Sequence, residues 1–293
     1  MKTASIATLV ETASSRGLTI GVIARELEAK ETGLSIAELN NKMNDRLEVM
    51  RSSIAAGLRG VRSKSGLTGG DALKMVEAQA KDVLINGEPL NSAMAYALAV
   101  SEVNSAMGRI VAAPTAGSCG ILPGVLLSVA KTLDADDSSL IEALFTAGAV
   151  GAVVARSSTL SGAAAGCQAE CGTGAAMAAA AATELAKGSP AQCGNAVAFA
   201  FKGLLGLVCD PVAGLVEVPC IKRNAICVAV ALAASNMALA GIESIIPPDE
   251  VIETMGIVGR ELPASLRETA LGGLAATPTG KHLATKLASS EQK

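Results

Sequence analysis

The residues with most chemistry in this 293-residue chain are its seven cysteines: Cys119, Cys167, Cys171, Cys193, Cys209, Cys220 and Cys227. They stand beside a single histidine and no tryptophan. In AGCQAEC, Cys167 and Cys171 fall one helical turn apart. A thiolate is a nucleophile and a soft metal ligand, whereas a thiol is a small buried hydrophobe. Cys193 and Cys227 lie inside alanine-rich stretches and read as core residues. Cys167 instead follows the loop GAAAG, Cys209 precedes Asp210-Pro211, and Cys220 follows Pro219. Proline fixes φ and biases the residue before it toward extended geometry, so the 209–220 loop is stiffened at both ends beside two thiols. That is a ligand platform. Thiolates alone can hold zinc, but compact CxxC pairs are missing and no histidine is near. Iron–sulfur ligation commonly uses four thiolates. Spacing alone leaves packing, zinc and an iron–sulfur centre all open.

The elements that must position these thiols are helical. Half the residues are apolar and 1% are aromatic. Many of the apolar residues are alanine, the best helix former and a poor strand former. An all-α, compact fold rich in Ala and Gly is expected, with close helix approach in place of large interlocking side chains. Short helices are expected at 3–15 and 19–31. A Ser35-to-Glu38 capping box opens a third, whose apolar face is Ile36, Leu39, Met43, Leu47 and Met50, running to about Leu58. Further helices are expected from Asp71 to about Leu84, from Asn91 to about Val111, and near 123–133, 138–155, 171–187, 191–206, 220–240, 248–259 and 263–271. A turn, a short helix and a frayed tail follow. Residues 1–60 read as an N-terminal helical lobe and 61–293 as the region carrying the cysteines, within one continuous domain.

Gly/Ser/Thr loops at 65–70, 115–120 and 166–174 open helices. Free N–H groups and the helix dipole there favour a carboxylate or phosphate, although such residues are also the ordinary way to cap a helix. GLAATPTGKH, residues 273–282, is not a phosphate-binding P-loop: six residues separate Gly273 from Gly280-Lys281 where four are needed. No lysine sits in a pyridoxal-phosphate attachment motif. His282 reads as a surface or helix-end residue. The net charge of −3, without a basic stripe or stacking aromatics, argues against nucleic-acid binding. The apolar stretch 143–155 is too short to span a bilayer and 227–242 carries Ser235 and Asn236, so no membrane association is expected. An odd cysteine count without a secretory signal favours the reducing cytoplasm.

The stretches SGLTGGD (65–71), IVAAPTAGSCGILPG (110–124), GAAAGCQAECGTGAAMAAAA (162–181), CDPVAGLVEVPCIKRN (209–224) and RETALGGLAATPTG (267–280) together cover most of the chain. They resemble the alpha subunit of bacterial iron–sulfur-dependent L-serine dehydratase, an L-serine ammonia-lyase. The resemblance implies a 4Fe–4S cluster held by Cys167, Cys209 and Cys220, with one iron left open. It places Cys171 and Cys119 in the cluster pocket rather than among the ligands. An open iron would act as Lewis acid on the leaving hydroxyl of L-serine. Loss of the Cα proton and of water gives an aminoacrylate, which tautomerises to an imine and hydrolyses to pyruvate and ammonia. No pyridoxal phosphate is needed. The base is expected from a beta subunit, so a hetero-oligomer is implied and no catalytic residue is assigned in this chain. For substrate contacts the loops offer Ser65, Thr68, Gly69 and Gly70, and Thr115, Gly117 and Ser118. Lys222, two residues past Cys220, is a further candidate for the substrate carboxylate, set against a merely solvated lysine. Two competing readings are a cysteine desulfidase-like iron–sulfur enzyme and a non-catalytic iron–sulfur carrier or sensor. The carrier would leave the loops at 65–71 and 115–120 without a purpose.

Overall fold

The computed structural model describes residues 5–290 and is all-α. The helices are α1 (Ile6–Arg16), α2 (Ile20–Thr32), α3 (Ile36–Leu58), α4 (Asp71–Ala80), α5 (Leu90–Ser105), α6 (Ile121–Leu133), α7 (Asp137–Ser157), α8 (Gly162–Ala165), α9 (Thr173–Leu185), α10 (Pro190–Leu204), α11 (Cys220–Leu239), α12 (Pro248–Glu261) and α13 (Pro278–Ser290). Among the described residues the only β-type pairings are isolated bridges, Arg62 with Gly69 and Cys209 with Arg267.

Local chemistry sets the helix starts. Glu38 N donates to Ser35 Oγ at 3.2 Å, and Ser35 N donates back to Glu38 Oε2 at 2.9 Å, which satisfies two donors that a helix end otherwise leaves free. Ser189 and Gln192 repeat the arrangement at α10, with Pro190 at its first position. Several ends differ from the sequence expectation. α4 stops at Ala80 and α5 at Ser105, because Asp82 and Met107 take positive φ of 52° and 62° and break the helical ladder. The helix expected over 263–271 does not form. Only a 3₁₀ turn, Ala264–Leu266, is present, and Glu268 and Ala270 have positive φ. That segment is bonded to the backbone of Cys209 instead. α7 is longer than the apolar pattern suggested. It and the segment Ala116–Leu133 are long and apolar enough to cross a membrane, but most of each is buried inside the protein. His282 lies exposed on α13, and residues 291–293, the end of the tail, fall outside the described residues.

The core is organised around α9, every residue of which is buried. α6, α7, α10 and α11 pack around it. Ala175, Ala176 and Ala178 to Ala181 are fully buried, so these helices meet nearly backbone to backbone. The same principle governs the crossing of α3 and α5, where a Cβ added to Gly57 would lie 2.3 Å from Ala99 O. The main apolar cluster runs from Ile6 and Leu9 of α1, through Leu39 and Leu47 of α3, to Ile252 and Met255 of α12. The N-terminal helices thus share one core with the cysteine-bearing region.

Candidate functional site

Cys167 stands between α8 and a π-helical turn, Gln168–Gly172, that leads into α9. Such turns are rare in helical proteins and often mark functional positions. Gln168, fully buried, fixes the segment. Its N donates to Leu207 O at 3.0 Å, Gly206 N donates to its Oε1 at 2.9 Å, and its Nε2 donates to Ala165 O at 2.9 Å. This one side chain ties Cys167 to the strap that carries Cys209.

Cys209 is held by its backbone. Its N donates to Leu266 O at 2.9 Å, and Glu268 N donates to its carbonyl at 2.7 Å. The next residue, Asp210, accepts from Leu274 N at 2.7 Å and pairs with Arg223, whose Nη1 lies 2.8 Å from Asp210 Oδ1. Gly273 has φ of 57°, and a Cβ there would come within 2.3 Å of Asp210 Oδ2, so both backbone and space require glycine. Cys220 opens α11, and Asn224, one turn later, donates to Cys220 O at 2.9 Å and to Gly117 O at 2.8 Å. Gly120 N donates to Asn224 Oδ1 at 3.0 Å. The buried Asn224 therefore clamps the 115–120 loop onto the start of α11.

The remaining loops join the same place. Ser65 Oγ and Thr68 Oγ1 each donate to Glu217 Oε2 at 2.8 Å, which binds the 65–70 loop to the segment just before Cys220. Gly69 and Gly70 both have positive φ, and Gly70 caps α4. Thr115 Oγ1 donates to Glu170 Oε1 at 2.8 Å, and the Ser118 hydroxyl lies 3.4 Å from Thr115 N. Lys222 is half-exposed and paired with Asp71, at the head of α4. Its neighbour Arg223 is the cation that the fold buries, 15% exposed and donating to Val208 O at 2.9 Å.

The thiols form a connected group. Cys167 Sγ lies 3.3 Å from Cys171 Sγ. Hydrogen bonds from the Cys171 and Cys209 thiols, with Arg223 nearby, hold Cys167 well below the usual thiol range. Cys209 and Cys171 are pushed up by sharing protons with it. Burial pushes Cys220 up to about 12, with the charge of Cys167 adding to the effect. Cys227 is core, as expected, yet its thiol also touches that of Cys171. Cys193 is buried in the core. Cys119 packs in a small cluster with Ile54 and Val100, beside Ser101. Burial pushes Glu170 up to about 7, with the Cys167 charge contributing.

Could these residues hold a metal centre? Among the described residues no three Cys, His, Asp or Glu groups converge as ligands of one ion. A lone zinc would need its thiolates about 2.3 Å from a single point. An iron–sulfur cluster makes a different demand, because each thiolate holds a different iron. Cys167, Cys209 and Cys220 are soft donors from three segments: the first two are in thiol contact, and Cys220 lies near enough to feel the charge of Cys167. Arg223 offsets anionic charge there. A Cβ on Gly162 would sit 3.2 Å from Cys209 Sγ, so only a glycine lets this backbone pack so closely against that thiol.

Sequence reasoning missed Gln168, Glu170, Glu217, Arg223 and Asn224. All five lie inside the motifs quoted above, but none has a local spacing that announces its partner.

A family model described as "Serine dehydratase alpha chain" matches residues 15–275. A Bacillus subtilis protein named "Probable L-serine dehydratase, alpha chain" is 50% identical over 266 residues, 91% of this chain and 88% of the relative. The L-serine dehydratase alpha chain of Peptoniphilus asaccharolyticus is 39% identical over 283 residues, covering 94% of each chain. L-serine dehydratase 2 of Escherichia coli is 39% identical over 270 residues, which make up 84% of this chain but 59% of that relative. With a matching model across most of its length and this identity to two alpha chains, the protein belongs to the serine dehydratase alpha chain family.

Proposed function

We propose that the chain is the alpha subunit of an L-serine dehydratase, a carbon–nitrogen lyase that converts L-serine to pyruvate and ammonia. The observation that carries this is the match to an L-serine dehydratase alpha chain over 94% of both chains. Cys167, Cys209 and Cys220 hold a 4Fe–4S cluster, which when bound supplies Lewis acidity at the leaving hydroxyl. The chain's own groups do the rest of the positioning. Backbone donors of the 115–118 turn and the Ser118 hydroxyl receive the substrate carboxylate, while the Thr115 hydroxyl stays on Glu170, and the close-packed helices exclude water behind it. Ser65 and Thr68 act through Glu217, which holds their loop against the Cys220 segment. Elimination removes a Cα proton and hydroxide from serine, leaving 2-aminoacrylate. Tautomerisation to the imine and addition of one water release pyruvate and ammonia, so the balance is serine in, pyruvate and ammonia out, without an external oxidant.

The Cα proton needs a base, and the only histidine, His282, is exposed on α13. That supports a base on a beta subunit. The Escherichia coli relative, named without a chain designation, has room for one, since this chain aligns with 59% of it. The pair would work in the cytoplasm, where thiols stay reduced. The test is pyruvate formation from L-serine under anaerobic conditions. The chain with its cognate beta subunit is expected to turn over and the chain alone is not. Full turnover by the chain alone removes the beta-borne base, and none by the pair removes the serine assignment.

A further inference from the structure

Thiols, hydroxyls and backbone N–H groups suit the anionic end of an amino acid. Its ammonium group is a separate problem, because a cation taken out of water needs an anionic or carbonyl partner. Four carboxylates stand among the site loops: Asp210, already paired with Arg223 and Leu274 N, Glu268, exposed at the rim with its charge reaching Glu170 and Cys209, Glu217 and Glu170. Glu217 is buried, and its Oε2 is already taken by the hydroxyls of Ser65 and Thr68. Glu170 is different. Its only hydrogen-bond donor among the described residues is Thr115 Oγ1, at 2.8 Å on Oε1, and no lysine or arginine pairs with it. Arg223, the buried cation of the site, is engaged with Asp210 and Val208 O.

Two glycines pack against the carboxylate. A Cβ on Gly162 would lie 2.7 Å from Glu170 Oε2 and 3.2 Å from Cys209 Sγ. A Cβ on Gly117 would lie 3.3 and 3.4 Å from the two oxygens. Any other residue at Gly162 would drive its Cβ into the Glu170 carboxylate and push it from its place beside the thiol. Thr115 also places this carboxylate directly beside the 115–118 turn, whose donors suit a carboxylate. The two charged ends of an α-amino acid are carried on one carbon, so they require adjacent partners of opposite kind, and these two are adjacent.

We propose that Glu170 receives the α-ammonium group of the substrate and makes the site select amino acids over the corresponding α-hydroxy acids. This rests on the serine reading above. Selection follows because a hydroxyl in place of the ammonium forfeits the ion pair and leaves a carboxylate desolvated without a cation.

The experiment uses the anaerobic holoenzyme, chain plus beta subunit, with iron content measured for each preparation. Glu170→Gln keeps size and removes charge. The KM for L-serine is expected to rise at least tenfold in this variant. The inhibition constant of L-glycerate, which carries a hydroxyl where serine carries the ammonium, is expected to stay within twofold or tighten, with iron content unchanged. A merely structural role would weaken both ligands alike, and that result, or an unchanged serine KM, overturns the proposal. Should the Gln variant fail to assemble, Glu170→Asp decides: the shortened carboxylate must weaken serine more than glycerate, and equal effects refute the role. Failure of the wild-type pair to make pyruvate would instead sink the serine reading and this inference with it. A working wild type with an indifferent variant sinks the inference alone.

Discussion

Cys209 shows what a residue gains from its surroundings in this fold. Its thiol meets that of Cys167, its backbone is bonded on both sides to the 266–268 segment, and Asp210 beside it is locked by Arg223 and Leu274. Replacing Cys167, Cys209 or Cys220 singly by serine is expected to lower iron and sulfide content by at least fivefold after anaerobic purification. Cys193→Ala, in the core away from the group, should keep the wild-type content. Equal retention in all four variants would remove the ligand assignment. Cysteine spacing left packing and ligation open, and the prolines marked only that Cys209 and Cys220 flank a stiffened loop; the contact between Cys167 and Cys209, 42 positions apart, has no local signal. Glu170 was not legible either, since its partner Thr115 is 55 positions away and nothing local points to it. Lys222 and Arg223 illustrate a different blindness. One residue along a helix is a turn of about 100°, so the lysine faces Asp71 at the surface while the arginine faces the thiols.

At the scale of elements, small residues set the spacing of helices. Gly57→Ala would improve helix propensity by about 1 kcal/mol, but the new methyl would strike the carbonyl of Ala99 in α5. The clash should win, costing about 1–3 kcal/mol net, seen as a lower urea midpoint with unchanged slope. A second element-level feature is Glu184 of α9. It accepts from Thr146 Oγ1 at 2.5 Å and from Gly21 N, at the head of α2, at 3.2 Å. Burial raises it to about 7 from an ordinary 4.5. The folded state therefore keeps a proton that the unfolded chain gives up. The associated stability is complete below about pH 4.5 and is lost as pH rises through 7, at most about 3 kcal/mol. Glu184→Gln should flatten that decline, measured as urea midpoints at pH 5 and pH 8; an unaltered slope would show that Glu184 is not its source. Helix identity was legible from periodicity and caps, as at Ser35. The 263–271 segment was misread because Pro263 looks like a helix start. Its true geometry is imposed from a distance by the backbone of Cys209.

At the scale of the molecule, the alanine-rich core explains how one chain brings four separate segments to one place. α9 is thin enough for α6, α7, α10 and α11 to close around it, and the loops at their ends meet around Cys167. The all-α class was readable from composition, because a chain with 1% aromatic residues has few other ways to fill a core. The meeting of the loops was not, since it depends on side chains such as Gln168, Glu217 and Asn224 that join segments far apart. An open iron implies sensitivity to oxygen, so activity of the assembled enzyme should fall at least tenfold on aeration and return on anaerobic treatment with iron, sulfide and thiol. Activity that persists under prolonged aeration would contradict the open-iron account.

The most direct test of the central claim is the paramagnetic resonance of the chain, purified anaerobically with its beta subunit and partly reduced, before and after addition of L-serine. The account predicts an iron–sulfur signal that L-serine alters and L-glycerate alters less. A preparation without iron, even after reconstitution, or a cluster signal indifferent to saturating L-serine, would contradict it.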